Sequence, residues 1–302
     1  MKKLATMMLA LAATFTLSFA GENPVKDTYS HHYDFMHFTA LEVSNAFQVD
    51  FAFADNWSVD VCIPDFIQPY LKVSCKGTKV RIGLEKLPHD IQRKLNDLKD
   101  PLKATVRMPK LLSLTLSGAS RLTAEGRQTL GDETMTIDLS GASKIEALET
   151  SGNGALNMDI SGASKARMKA TFNQMDIDIS GASKLALEGS AAKVRIDCTG
   201  ASNCDYEGDV LAAIVDLSGA SKMNMSGKTG NLKLDQTGAT KFESTGETAR
   251  ADVQLSGASK CRLTVKESLQ YELSGASTLR VKNLGAKVAG EQARGSKLEF
   301  ER

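Results

Sequence analysis

Aromatic side chains are scarce in this sequence, at 6% of 302 residues with a single tryptophan, and no long apolar run follows the first twenty positions. The second absence excludes a membrane-spanning helix in the body of the chain, because a bilayer takes about 20 consecutive apolar residues. There is also almost no net charge, +1 in all, so neither nucleic acid nor anionic lipid is attracted by the molecule as a whole. No phosphate-binding glycine loop, nucleophile elbow or helical zinc motif occurs. Few aromatics and evenly spread glycine suit many short strands and tight turns better than a thick globular core. The five cysteines, Cys62, Cys75, Cys198, Cys204 and Cys261, are an odd number, so at least one thiol has no intramolecular partner.

The N-terminus reads as a secretory signal peptide over residues 1–20. Lys2 and Lys3 precede an apolar stretch from Leu4 to Leu17, and Ser18-Phe19-Ala20 is a small-x-small cleavage site that would leave Gly21 first. The apolar stretch is short for a transmembrane helix. No cysteine stands at the cleavage site to take a lipid anchor. Export is therefore expected, to the periplasm, the outer cell surface or the medium, and residues 21–36 read as a flexible segment. Without Lys2 and Lys3 the charges stand at 35 basic to 36 acidic.

A turn repeat sets the architecture. Ser-Gly-Ala-Ser-Lys or a close variant begins at Ser117, Ser140, Ser161, Ser180, Thr199, Ser218, Thr237, Ser256 and Ser274, and Ala293-Arg294-Gly295-Ser296-Lys297 is a degenerate tenth copy. The spacing settles at 19 residues, which marks a solenoid. Apolar and polar residues alternate on both sides of the turn, as in Val215-Asp216-Leu217 and Met223-Asn224-Met225, so the repeats are strands with one buried face. A propeller blade needs about twice this length, and leucine-rich repeats have a different pattern. Stacked coils are parallel, and parallel crossovers are right-handed. The expected fold is all-β: a right-handed parallel β-helix of about ten 19-residue coils over residues 117–302. Residues 37–116 are expected as irregular earlier coils of the same single domain, 37–302. They include one short helix at Pro88–Asp100, with Ile91, Leu95 and Leu98 at helical spacing, Asp90 as N-cap and Pro101 as stop. At each turn glycine takes a positive φ and the flanking hydroxyls bond to backbone.

These turns, the Asp-Leu or Asp-Ile before them, and the segments Phe38-Thr39-Ala40-Leu41-Glu42-Val43 and Phe47-Gln48-Val49-Asp50-Phe51 carry a family resemblance. From about residue 37 to 300 the chain resembles the bacterial head GIN domain family of auto-transporter adhesins, commonest in Bacteroidetes. The resemblance implies an exported β-helix with an adhesive role and supplies no catalytic residues. No C-terminal membrane barrel of the autotransporter kind is visible in the sequence.

The pattern most suggestive of function is charge in register. Two residues before each turn stand Asp138, Asp159, Asp178, Asp197, Asp216 and Asp235, followed by Gln254 and Glu272. Four residues after each turn start stand Lys144, Lys165, Lys184, Asn203, Lys222, Lys241, Lys260 and Thr278. Stacking predicts one acidic and one basic stripe. Carboxylates about 5 Å apart repel by roughly 1 to 3 kcal/mol per pair, which lysines reaching round the corner or aspartates splaying into water would relieve. The functional reading is a surface for a charged polymer or for calcium, although no calcium-binding nonapeptide repeat is present. An enzyme would need a cluster that breaks the repeat. The departures Asn203, Tyr206, Gln236 and Thr278 supply no acid and base pair.

Cys198 and Cys204 replace core residues on either side of one turn, which suits buried thiols or a disulfide across the corner. Cys62 and Cys75 are candidates to bridge the first coils, and His31, His32 and His37 are either a weak metal trio or part of a flexible tail. Taken together, the residues point to an exported noncatalytic binder of an extended ligand, such as a glycan or another cell-surface component, with no catalytic residue, metal or cofactor. A self-associating envelope protein is the second reading and a polysaccharide-active enzyme the third.

Overall fold

The computed structural model describes residues 28–97 and 102–301. The proposed signal peptide lies outside the described residues, as do Leu98 and Pro101. Stacked parallel coils form a β-solenoid of about ten turns. Two strand stacks meet at the Ser-Gly-Ala-Ser corner. They belong to one 24-stranded sheet, because Lys165–Ile179, Lys241–Leu255 and Lys260–Leu273 bend and run through both. One stack, the aspartate sheet, holds the residues before each corner, such as Ala191–Cys198, Val210–Leu217 and Thr229–Gln236. The other, the lysine sheet, holds the residues after it, such as Lys184–Glu188, Asn203–Glu207 and Lys222–Ser226.

Alternation is the reason these residues are strands. In Lys165–Ile179 every second side chain is buried until Asn173 and Gln174, both exposed, where the strand turns a second corner and resumes the alternation. Inward columns such as Ile177, Ile196, Val215, Leu234 and Val253 stack at 0% exposure and make the core. Each such side chain contributes about 1.5 to 3 kcal/mol by leaving water.

The corner keeps its glycine for two reasons. Gly181 has φ +71°, and a Cβ there would lie 2.4 Å from the Gly162 carbonyl oxygen of the coil below. The next backbone group fastens the stack, with the Ala182 amide donating to Gly162 O at 2.7 Å. The expected hydroxyl bonds form only in part. Ser120, Ser143 and Ser296 donate to the carbonyl three residues back, whereas Ser164, Ser183, Ser202, Ser221, Ser259 and Ser277 are buried without a partner.

The N-terminal part differs from the simple succession of coils expected there. Ala40–Val43 lies between Lys79–Leu84 and Ser113–Leu116, and Phe47–Phe53 lies between Leu102–Met108 and Arg121–Leu130. The chain therefore makes one coil, descends to build the coil beneath it, and climbs back over the first. Ser58–Pro64 and Leu71–Lys76 are not coil strands in parallel register. They pair antiparallel with the lowest coil. Thr28–Tyr33, within the segment read as flexible, pairs antiparallel with Ser58–Pro64 as an outermost strand. The short helix is His89–Asn96, with Pro88 rather than Asp90 at the N-cap. Asp90 falls inside the first turn, and Ile91 and Leu95 pack half-buried against the core.

Candidate functional site

Both charged columns exist in register. Asp138, Asp159, Asp178, Asp197, Asp216 and Asp235 are successive partners on the aspartate sheet, continued by Gln254, Glu272 and Glu291. On the far side of the corner, Lys144, Lys165, Lys184, Asn203, Lys222, Lys241 and Lys260 stack on the lysine sheet. The two columns do not pair with each other. Among the described residues only Lys144 and Lys241 of the lysine column form ion pairs, with Glu146 at 2.6 Å and Glu243 at 2.7 Å, both on their own strands.

The expected relief of aspartate repulsion by lysines reaching round the corner is thus corrected. Cations from the adjoining column on the same sheet supply it: Arg195 lies 3.1 Å from Asp216 and 3.7 Å from Asp197, and Lys233 lies 3.9 Å from Asp235. These reach only part of the stripe. Asp178 has a carboxylate on three sides, Asp159 and Asp197 along the column and Asp176 two residues back. Partial desolvation first, and then these neighbours, raise its pKa above the ordinary carboxylate value. Desolvation likewise raises Asp197 and Asp235. The stripe is an acidic surface only partly neutralised by its own protein.

A second feature lies on the lysine sheet beyond the lysine column, where a groove of about 720 Å³ runs across successive coils. One wall is the column Arg167, Ala186, Asp205, Asn224 and Glu243. The other is Glu149, Lys169, Glu188, Glu207 and Ser226. Between them the buried column Met168, Leu187, Tyr206 and Met225 backs the floor. Residue-by-residue reading missed this groove. The available signal was the irregular strand Asn203–Glu207, where Asn203, Cys204 and Tyr206 all depart from the repeat and two carboxylates, Asp205 and Glu207, flank Tyr206.

Of the departures from the repeat, Tyr206 and Gln236 are absorbed by packing, whereas Asn203 and Thr278 stay half-exposed in the lysine column. Tyr206 is buried and its hydroxyl donates to Gly189 O at 2.9 Å, with burial pushing the phenol pKa well up. The buried Gln236 amide donates to Thr240 Oγ1 at 3.0 Å. Cys198 and Cys204 are buried free thiols in hydrogen-bond contact across the corner, which together with burial raises the Cys204 pKa. Cys62 and Cys75 do not bridge. They are free thiols on Ser58–Pro64 and Leu71–Lys76, which belong to different stacks, and Cys62 is exposed. The histidines do not converge either. His32 bonds Asp60 at 2.7 Å and Asp34 at 3.1 Å, His31 stacks on Tyr29 and meets Tyr33 edge-on, and His37 lies against Trp57. Among the described residues no group of His, Cys, Asp or Glu side chains is arranged to hold a metal ion. None of their helices is long and apolar enough to cross a membrane.

The model of the family described as "Putative auto-transporter adhesin, head GIN domain" matches residues 37–211 and 190–285, most of the chain. The chain belongs to this family. No curated protein matches it. Among solved structures, it is similar to a "putative adhesin" from Parabacteroides distasonis, with 11% identity, 91% of this chain and 97% of that one covered, and a TM-score of 0.54. A second "putative adhesin", from Parabacteroides merdae, shares 10% identity over 92% of this chain and 98% of that one with a TM-score of 0.46. A third, from Bacteroides fragilis, shares 13% identity over 93% and 100% with a TM-score of 0.43. At such identity the Parabacteroides distasonis structure speaks for the fold and for nothing finer.

Proposed function

We propose that the protein is an exported, noncatalytic adhesin that holds an extended ligand, a glycan, along its aspartate sheet. The observation that carries this reading is the uninterrupted column of six carboxylates, one per coil, which Arg195 and Lys233 compensate only in part. Hydroxyl donors spaced along a polymer meet a carboxylate acceptor at each coil, and hydrogen bonds to ionised acceptors are the stronger kind. The absorption of Tyr206 and Gln236 into the core supports a binding role over a catalytic one, since an enzyme of this shape would aim its irregular residues at the substrate. The family membership supports adhesion and a place outside the inner membrane.

The test is a glycan array probed with the protein, with and without calcium, against the triple variant Asp178→Asn, Asp197→Asn, Asp216→Asn. Signal that disappears in the variant supports the reading. Signal indifferent to it, or none in any condition, removes it.

Self-association is the second reading, and the far end of the solenoid favours it. Among the described residues Lys287–Gln292 and Lys297–Glu301 each pair on one side only. Phe300, over Val281 in the inward register, is left 55% exposed. Open strand edges with apolar side chains invite pairing between chains. Mass that rises with concentration, and no longer does so in Phe300→Lys, would establish it.

A further inference from the structure

The groove on the lysine sheet has a chemistry opposite to its neighbouring lysine column. Five carboxylates line it, Glu149, Glu188, Asp205, Glu207 and Glu243, against two cations, Arg167 and Lys169. Several are already engaged: Lys169 bonds Glu188 at 2.8 Å, Glu243 bonds Lys241 at 2.7 Å, and Glu149 lies 4.0 Å from Arg127. Two are not. Asp205 receives only the neutral Asn224 amide, at 2.5 Å, and Glu207 makes no ion pair among the described residues, the Lys169 ammonium that bonds Glu188 acting on it only from beyond that distance. They are two apart on one strand, so they stand on opposite walls of the groove about 7 Å apart along the chain.

The rest of the lining mixes aliphatic side chains with the short polar ones of Asn224, Ser226 and Thr245. Ala124, Ala147 and Ala186 face the groove, and its one aromatic residue, Tyr206, is buried beneath with its hydroxyl turned to Gly189. A sugar ring finds no aromatic face there to lie on. A lysine or arginine side chain finds what each of its parts requires, an apolar surface for the methylene stem and a carboxylate for the charged head.

We propose that this groove binds an extended basic peptide segment, with aliphatic stems on Ala124, Ala147 and Ala186 and charged heads between Asp205 and Glu207. This site is separate from the aspartate sheet and stands or falls without the glycan reading. The segment lies along the solenoid axis, crossing the coils, and the column of free lysines keeps it from drifting toward the Ser-Gly-Ala-Ser corner.

Fluorescein-labelled decalysine titrated into the full chain tests this by anisotropy, at about 0.02 M and about 0.15 M ionic strength. The expected Kd rises about tenfold in the double variant Asp205→Asn, Glu207→Gln and stays within about twofold in the aspartate-sheet triple variant. A decamer of 2,4-diaminobutyric acid, which keeps the charge at pH 7 on a stem two methylenes shorter, should bind about tenfold more weakly than decalysine. Ala186→Lys should abolish binding, since it places a cation in the wall beside Asp205, its partner on the next coil. Asp205 and Glu207 are exposed and Ala186 is half-exposed, so these variants keep the fold, which unchanged thermal unfolding confirms. Decalysine that fails to bind at the lower salt overturns the proposal. So does affinity indifferent to Asp205 and Glu207, affinity lost equally in the aspartate-sheet variant, or equal affinity for the two decamers.

Discussion

At the corner between the two stacks a single residue decides whether the next coil can be laid down. Gly181 combines a positive φ with a carbonyl oxygen where a Cβ would stand, so neither a rotamer change nor a neighbouring side chain can make room. Gly181→Val is expected to cost at least about 2 kcal/mol, read as a lower urea midpoint, because a β-branched residue is strained there even before the clash. The aspartates a few residues away act in the opposite sense. A carboxylate whose pKa rises on folding destabilises the folded state while it is ionised, and the cost is lost as pH falls from the raised folded value to the unfolded one. Asp178→Asn should therefore stabilise the protein by about 1 kcal/mol at pH 7 and low salt, less at physiological salt, with the gain fading as pH falls to about 4. Urea titrations at pH 7 and pH 4 read both. The cysteines divide by environment: iodoacetamide on the native protein should modify Cys62 first and leave Cys198, Cys204 and Cys261 until unfolding, as peptide mass spectrometry would show.

Strands carry their own inside and outside in the sequence, which is why the repeating coils were legible. Once Asp138 to Asp235 recur at the same offset from the turn, stacking places them in one column without further information. Direction and order are not written in alternation. Ser58–Pro64 alternates like a coil strand and yet runs antiparallel, and nothing local says that Ala40–Val43 will be covered by Ser113–Leu116. The groove was hidden for a related reason. Its walls are contributed by several strands, and their residues come together only when the coils stack. What the sequence did show was a disturbed strand, Asn203–Glu207. Tyr206→Phe tests how firmly that strand is set: losing the bond to Gly189 O should cost about 1 kcal/mol in urea denaturation and leave the fold intact.

The whole molecule has unlike ends. At one end antiparallel strands and the helix His89–Asn96 finish the stack, and at the other the last two described strands are paired on one side. Between them each coil touches mainly the coils above and below, so stability is close to a sum over neighbours. Removing one complete coil, residues 199–217, joins Cys198 to Ser218 with the register preserved. That variant should fold and be about 5 Å shorter by small-angle scattering. Deleting residues 58–108 should prevent folding, because the first coil would lose the layer beneath it. The antiparallel strands and the helix thus precede the repeats, and duplication or loss of a 19-residue unit changes reach without touching that foundation. The protein is a ruler graduated in coils: a lineage can lengthen or shorten it one mark at a time, and the distance it spans is open to selection independently of what it holds.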